Sequence, residues 1–155
     1  MTIPSYFHFD FFATRPLSDA AQLPKLFLVL TAAYFLASLG HFSHNAEFIC
    51  EYPKLPGWLT PAKVYASWAA ITAIGVFGLL LLRKRRFTPG FLAVAVYAAL
   101  GFDGLGHYAV APMAFHTFGA NVSILSEVAA AALLLPVTLV LAGRRLAMMP
   151  PLSSA

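Results

Sequence analysis

The sequence predicts an all-α polytopic membrane protein, a bundle of four transmembrane helices with an N-terminal interfacial segment. Of its 155 residues, 60% are hydrophobic and only 10% are charged, and the mean hydropathy is +0.77. A soluble domain carries about 25% charged residues, so this composition excludes a soluble globule and a disordered chain. The one cysteine excludes a disulfide scaffold.

Four stretches are long enough to cross the membrane, which takes roughly 20 apolar residues. They lie at about 25–51, 61–82, 90–111 and 121–143, and together form a membrane domain over 25–145. Thr60 suits the cap of the second helix and Pro61 its first position. Pro136 lies inside the fourth stretch and is expected to kink it.

The two ends of the chain receive separate predictions. Residues 1–24 are rich in Phe and Tyr, which favours an interfacial segment lying on the membrane. Residues 146–155 are predicted to be a loose tail.

The basic residues predict the orientation. If the N-terminus is cytoplasmic, eight Lys and Arg residues lie on the inner side, including the runs 83–86 and 144–145, and only Lys54 and Lys63 lie outside. Lys and Arg concentrate in cytoplasmic loops. We therefore expect both termini in the cytoplasm and a bacterial inner membrane as the location. Clustering of the basic charge beside apolar stretches does not favour nucleic-acid binding.

Three spans place an ionisable residue at the same depth. At about 1.5 Å per helical residue, His41 lies roughly 24 Å from Lys25, while Asp103 and Glu127 each lie roughly 26 Å from the basic residue that bounds their span. Ionisable groups inside a membrane usually face the bundle interior and mark function. The shared level predicts a polar site in the outer third of the membrane.

Further polar residues surround this level. Asp103 and His107 are four residues apart and share a helix face. His44, Glu47 and Glu51 fall near one face of the first span, with His41 at its margin. Glu47, Glu51 and His116 are interpreted as helix-end residues at the membrane surface. Glycines flank Asp103, and they allow close helix packing or loosen the helix there.

The first functional hypothesis is a small membrane metalloprotein, an enzyme acting on a lipophilic or small substrate. Imidazole and carboxylate suit a transition metal, with zinc or iron expected, and an open coordination position would activate water or oxygen. The spacing H-x-x-H is not specific, so the prediction depends on convergence across spans. The predicted ligands are His41, His44, Asp103, His107 and Glu127.

The alternative is a metal-free acid–base enzyme of the isomerase or cyclase type. A carboxyl group in an apolar site can keep its proton near neutral pH, so Asp103 or Glu127 would serve as an acid. Tyr65 is the third catalytic candidate. Tyr65, Trp68 and Phe102 would line a pocket for a terpenoid-like or sterol-like substrate.

Other functions remain open at this point. Buried acids and histidines also form proton or metal transport paths, although the nearly uniformly apolar inner half counts against one. A haem between His41 or His44 and His107 needs no carboxylates. The polar groups could also only tie the spans together. The expected partners are the lipid bilayer and either a second copy of the chain in a homo-oligomer or another subunit of a membrane complex.

Overall fold

The computed structural model describes residues 23–148, and over this range the chain is helical with no strand. The prediction of an all-α bundle is confirmed. A 3₁₀ segment, Gly101–Leu105, joins the third and fourth helices into the single span Phe87–Val110. The helices are α1 Lys25–Glu47, α2 Pro61–Arg83, α3 Phe87–Leu100, α4 Gly106–Val110 and α5 Phe118–Ala147.

The surface of the bundle is that of a protein embedded in lipid. Within residues 23–148, four helical stretches are long and apolar enough to cross a membrane. Large apolar side chains face outward, among them Val29, Leu36 and Leu92, which are 62%, 64% and 65% exposed. Apolar surface on this scale would cause aggregation in water, whereas lipid chains solvate it. The chain is therefore an integral membrane protein.

The helix starts follow local capping chemistry. Thr60 accepts a hydrogen bond from the backbone N–H of Lys63 at 3.4 Å, and Pro61 is the first residue of α2. This confirms the predicted start of the second span. Thr117 caps α5 in the same way, through the backbone N–H of Ala120 at 3.2 Å, so the last helix begins at Phe118 rather than near residue 121.

Two helix ends differ from the predicted bounds. The first helix stops at Glu47 because the chain tightens into a 3₁₀ turn over Ile49–Glu51. The last helix continues to Ala147, with Arg144 and Arg145 in its final turn, where cations interact favourably with the carbonyl end of a helix. Most of the predicted interfacial segment, residues 1–22, and the tail beyond Met148 lie outside the described residues.

Helices α1 and α5 pack along matching seams. The buried positions of α1 recur at spacings of three and four residues: Phe27, Thr31, Tyr34, Ser38, His41 and Asn45. Those of α5 do the same: Ala120, Ile124, Glu127, Ala131, Leu134 and Thr138. This spacing keeps one stripe of each helix against its neighbour. Because His41 and Glu127 belong to these stripes, the packing itself turns both of them inward.

The third span closes the bundle by packing on α2 and α5. Glycines set the close approach of α2 and α3, since a Cβ at Gly75 would lie 2.5 Å from the Tyr97 ring and one at Gly78 only 2.8 Å from Val94. Small residues commonly serve this purpose between membrane helices. The centre of the bundle is a tightly packed apolar core.

The bundle has two chemically different ends. The basic end carries Arg83–Arg86 and the last turn of α5. The histidine end carries residues 41–60 and 103–118, including four of the five histidines. Which end faces the cytoplasm stays a prediction from the basic residues.

Candidate functional site

His41 and Glu127 meet inside the histidine end of the bundle. Nε2 of His41 lies 3.7 Å from Oε2 of Glu127, and each residue is only 2% exposed. The contact agrees with the common depth expected from helical rise. An imidazole and a carboxyl group so placed form an ion pair when His41 is protonated.

This pair lines a cavity that we call the polar pocket. Its volume is about 210 Å³, and it lies among α1, α2, the 3₁₀ segment and α5, beside the connection between the first two helices. Apolar side chains such as Phe42, Leu59 and Val64 complete its wall. The polar side chains that line it are His41, Asn45, Ser67, Asp103, His107 and Glu127.

The 3₁₀ segment shapes one side of the polar pocket. A 3₁₀ stretch within a longer helix often marks a functional site, and Gly101 and Gly104 are both buried here. A Cβ at Gly101 would lie 2.6 Å from the Tyr34 ring, so glycine permits the close approach to α1. Asp103, in the middle of the segment, is exposed and contributes to the pocket lining.

A chain of hydrogen bonds leads from the buried pair toward the end of the bundle. Nδ1 of His41 lies 3.3 Å from Oγ of Ser123, and this oxygen lies 3.3 Å from the Tyr52 hydroxyl. The Tyr52 hydroxyl lies 3.0 Å from Nδ1 of His44. His41, which is buried, is therefore connected to His44, which is partly exposed.

Ser123 determines where the protons lie in this chain. Its hydroxyl donates to the carbonyl of Ala120 at 2.9 Å, so its oxygen is the acceptor for both His41 and Tyr52. His41 then carries a proton on Nδ1, and its Nε2 faces Glu127. Without a further proton, the lone pair of Nε2 would face the Glu127 carboxylate and repel it. We therefore place a second proton on Nε2 or on the Glu127 carboxyl group.

Tyr52 occupies the centre of the histidine end. It is 3% exposed, and its ring centroid lies 4.9–6.4 Å from the ring centroids of four histidines: His41, His44, His107 and His116. Burial raises the pKa of the Tyr52 hydroxyl, and the hydrogen bond with Ser123 offsets part of this rise. The phenol therefore stays protonated at neutral pH.

Tyr52 and Ser123 were not among the site residues predicted from the sequence. Tyr52 lies in a connection that the sequence marks only as a turn, and its position depends on tertiary contacts. Ser123 was detectable in principle, because it lies four residues before Glu127 on the same helix face.

Two predicted site residues lie outside the polar pocket. His44 is bonded to Tyr52 and packs on Gly119, where a Cβ would lie 2.7 Å from its Nε2. Tyr65 donates to Oε1 of Glu47 at 2.9 Å. Successive residues of a helix differ by about 100°, so Tyr65 faces away from the pocket that its neighbour Val64 lines.

Three residues were interpreted as lying at the membrane surface. Glu47 and Glu51 are indeed exposed, and Glu51 accepts a hydrogen bond from Thr117 at 2.9 Å. His116 directly follows the short 3₁₀ helix Met113–Phe115 at the same end of the bundle but, unlike the two carboxylates, it is buried. It is 7% exposed because the rings of Tyr52 and Tyr108 cover it.

His107 completes the second wall of the polar pocket. Its Nε2 lies 3.3 Å from Nδ2 of Asn45, and its ring centroid lies 5.4 Å from that of His41. Asn45 is itself buried. An amide N–H can only donate, so in this contact Nε2 of His107 is the acceptor and the proton of a neutral His107 would lie on Nδ1.

The predicted metal ligands are close but do not converge. Four of the five, His41, Asp103, His107 and Glu127, line the polar pocket. Among residues 23–148, however, no three His, Cys, Asp or Glu side chains are grouped closely enough to hold a metal ion. Comparisons of this chain with protein-family models, curated proteins and solved structures find no match.

Proposed function

We propose that this chain is an integral membrane enzyme that transfers protons to and from a small lipophilic substrate in the polar pocket. One observation carries the proposal: the buried pair His41–Glu127 lines a cavity of about 210 Å³ within the membrane-spanning helices. Burying two ionisable groups in a membrane protein is costly. The cavity beside the pair provides space for a substrate on which these two groups can act.

The pair supports both directions of proton transfer. With the second proton on its carboxyl group, Glu127 is an acid that donates to a substrate atom, and His41 has an open Nε2. After donation, the Glu127 carboxylate accepts a proton again. His107 and Asp103 lie on another wall of the same pocket. An acid on one side and a base on another can add a proton at one carbon and remove one from a second, which is an isomerisation.

The hydrogen-bonded chain connects the pair to water. His44 exchanges protons at the end of the bundle, and Tyr52 and Ser123 link it to His41. One turnover of the isomerisation leaves Glu127 without its proton and the base on the opposite wall with an extra one. The site needs a proton path to return both groups to their starting states, because lipid supplies none.

Deuterium incorporation tests the proposal without a known substrate. The protein, in lipid nanodiscs, is incubated in heavy water with a panel of unsaturated terpenoids, sterols and long-chain enones. We expect carbon-bound deuterium in at least one compound with the wild type, and none with Glu127→Gln. Glu47→Gln is the matched control, since Glu47 is an exposed carboxylate at the same end. Equal incorporation by wild type and Glu127→Gln would contradict the proposal.

Metal-assisted catalysis is the second candidate. The observation that favours it is the sharing of one pocket by four predicted ligands, two imidazoles and two carboxylates. That donor set suits zinc or iron, provided that the side chains move closer together. Elemental analysis of untagged protein, beside His41→Ala and Asp103→Ala, tests it. About one metal per chain, lost in both variants, would favour this candidate over the metal-free reaction.

A further inference from the structure

The basic end of the bundle holds four consecutive cations around one short connection. Helix α2 ends at Arg83 and α3 begins at Phe87, so residues 84–86 alone join them. The four basic side chains of residues 83–86 are all exposed. Because both adjoining helices belong to membrane spans, this connection lies where the hydrocarbon gives way to the lipid headgroups. The four charges are therefore presented at the membrane surface.

Within residues 23–148, no carboxylate lies at the basic end. The acidic residues of this range all lie toward the histidine end: Glu47, Glu51, Asp103 and Glu127. Even Glu127, the closest of them along its own helix, lies roughly 26 Å from Arg144. Lys25, at the start of α1, and the last turn of α5 add further positive charge to the basic end. A surface with charge of one sign at the headgroup level attracts ligands of the opposite sign.

The packing beneath this connection holds its backbone in one conformation. Leu82 is 3% exposed and packs on Gly90, where a Cβ would lie 2.7 Å from Cγ of Leu82. The guanidinium carbon of Arg145 lies 4.2 Å from the centroid of the Phe87 ring, which places the end of α5 against the same connection. The backbone therefore cannot rearrange to separate the four charges, and a bound anion offsets their mutual repulsion.

Arg85 has a backbone conformation that favours glycine. Its φ is 59°, and the backbone N–H groups of Arg85 and Arg86 donate to the carbonyls of Leu82 and Leu81 at 3.0 Å and 2.9 Å. This is the Schellman pattern that ends a helix, and its left-handed residue is usually glycine. A residue with a Cβ is disfavoured there, so the local fold does not account for an arginine. The strain points to a function of the side chain itself.

We propose that the basic end binds the headgroup of an anionic phospholipid and that Arg85 is one of the residues that hold its phosphate. Lys and Arg beside a membrane attract anionic lipids, and the planar guanidinium of Arg can donate two parallel hydrogen bonds to a phosphate. Phosphatidylcholine offers the same phosphate, but its ammonium group is repelled by the same cations, so the site selects lipids of net negative charge. It lies at the opposite end of the bundle from the His41–Glu127 pair and does not depend on the proposed reaction.

A scintillation proximity assay with two tritiated lipids tests the selectivity on immobilised protein in neutral detergent. Dioleoyl phosphatidylglycerol and dioleoyl phosphatidylcholine share their acyl chains and differ in net charge. We expect phosphatidylglycerol to bind about fivefold more tightly, which corresponds to about 1 kcal/mol. Equal affinities for the two lipids would overturn the proposal. Complete displacement of phosphatidylglycerol by inorganic phosphate at about 10 mM would also overturn it, because the occupant would then be a free anion and not a lipid of the bilayer.

Arg85→Gly and Lys54→Gly form a matched pair of variants. Lys54, at the histidine end, is also exposed and also has a φ of 59°, so each variant removes one cation and places glycine at a left-handed position. Arg85→Gly should lower the affinity for phosphatidylglycerol about fivefold and leave that for phosphatidylcholine unchanged, whereas Lys54→Gly should change neither. No loss in Arg85→Gly, or the same loss in both variants, would overturn the proposal. Both variants should unfold at a temperature no lower than the wild type, which separates a lost lipid site from misfolding.

Discussion

The histidine end and the middle of the bundle are built from the same four spans but are held together differently. In the middle, helices meet through glycine and apolar rings, as where Gly75 packs on Tyr97. At the histidine end, they meet through His41, Glu127 and a hydrogen-bonded chain. The middle gains stability from close packing and from hydrogen bonds to backbone carbonyls, such as that of the Tyr34 hydroxyl to Tyr97. The histidine end buries ionisable groups beside its cavity, which a purely structural region would avoid.

The largest expected effect is the loss of the buried carboxyl group. Glu127→Ala should lower the free energy of unfolding by about 3 kcal/mol, because it leaves His41 without its partner in the bundle interior. Glu47→Ala should change it by no more than about 0.5 kcal/mol, as expected for an exposed residue. Thermal or denaturant unfolding in detergent measures both. If the two variants unfold alike, the His41–Glu127 contact does not hold the helices together.

The middle of the bundle is tested by adding a single methyl group. Gly75→Ala should destabilise the protein by about 2 kcal/mol, because the new Cβ would press on the Tyr97 ring. Gly40→Ala should stabilise it by roughly 0.5 kcal/mol, since Gly40 is inside α1 with nothing within 4 Å of a Cβ. The same unfolding assay applies. A neutral Gly75→Ala would mean that α2 and α3 are less closely packed than described.

The shared depth of His41, Asp103 and Glu127 was predictable because the rise of a helix per residue is fixed. Which residue of α1 enters the site was not, since rotation about the helix axis depends on packing. In lipid, a buried face is no more apolar than an exposed one, so hydrophobicity does not reveal it. The spacing of Tyr34, Ser38 and His41 indicates the buried face of α1. It can be recognised only when the matching buried stripe of the neighbouring helix is known.

The position of Tyr52 could not be predicted from the sequence, for a different reason. Its place among four histidines arises from a connection that folds back over the bundle. Nothing in its neighbours along the chain specifies that path. The helical rise per residue therefore predicts the depth of the site in the membrane, and tertiary contacts determine which side chains complete the site.

Tyr52→Phe tests the hydrogen-bonded chain with a moderate expected effect. At neutral pH it should cost about 1 kcal/mol, because bonds to Ser123 and His44 are lost. Burial raises the pKa of Tyr52 in the folded state, so its contribution is present below its unfolded pKa of about 10 and is lost as the pH rises through the folded value. The stability difference between wild type and variant should therefore shrink above about pH 10. A difference independent of pH would argue against a buried phenol.

The smallest expected effect concerns a hydroxyl in the middle of the bundle. Thr72→Val should leave stability unchanged or raise it by up to about 0.5 kcal/mol, because the buried Thr72 hydroxyl makes no hydrogen bond of good geometry that the variant would lose. Thr138→Val should instead cost about 1 kcal/mol, because the Thr138 hydroxyl donates to the Leu134 carbonyl at 2.8 Å. If both variants lose stability equally, Thr72 has a bonding partner within the protein, and the middle of the bundle is then satisfied by its own side chains. If only Thr138→Val loses stability, the middle of the bundle also buries a polar group without a hydrogen bond. The histidine end then differs from the middle chiefly in its buried ionisable groups.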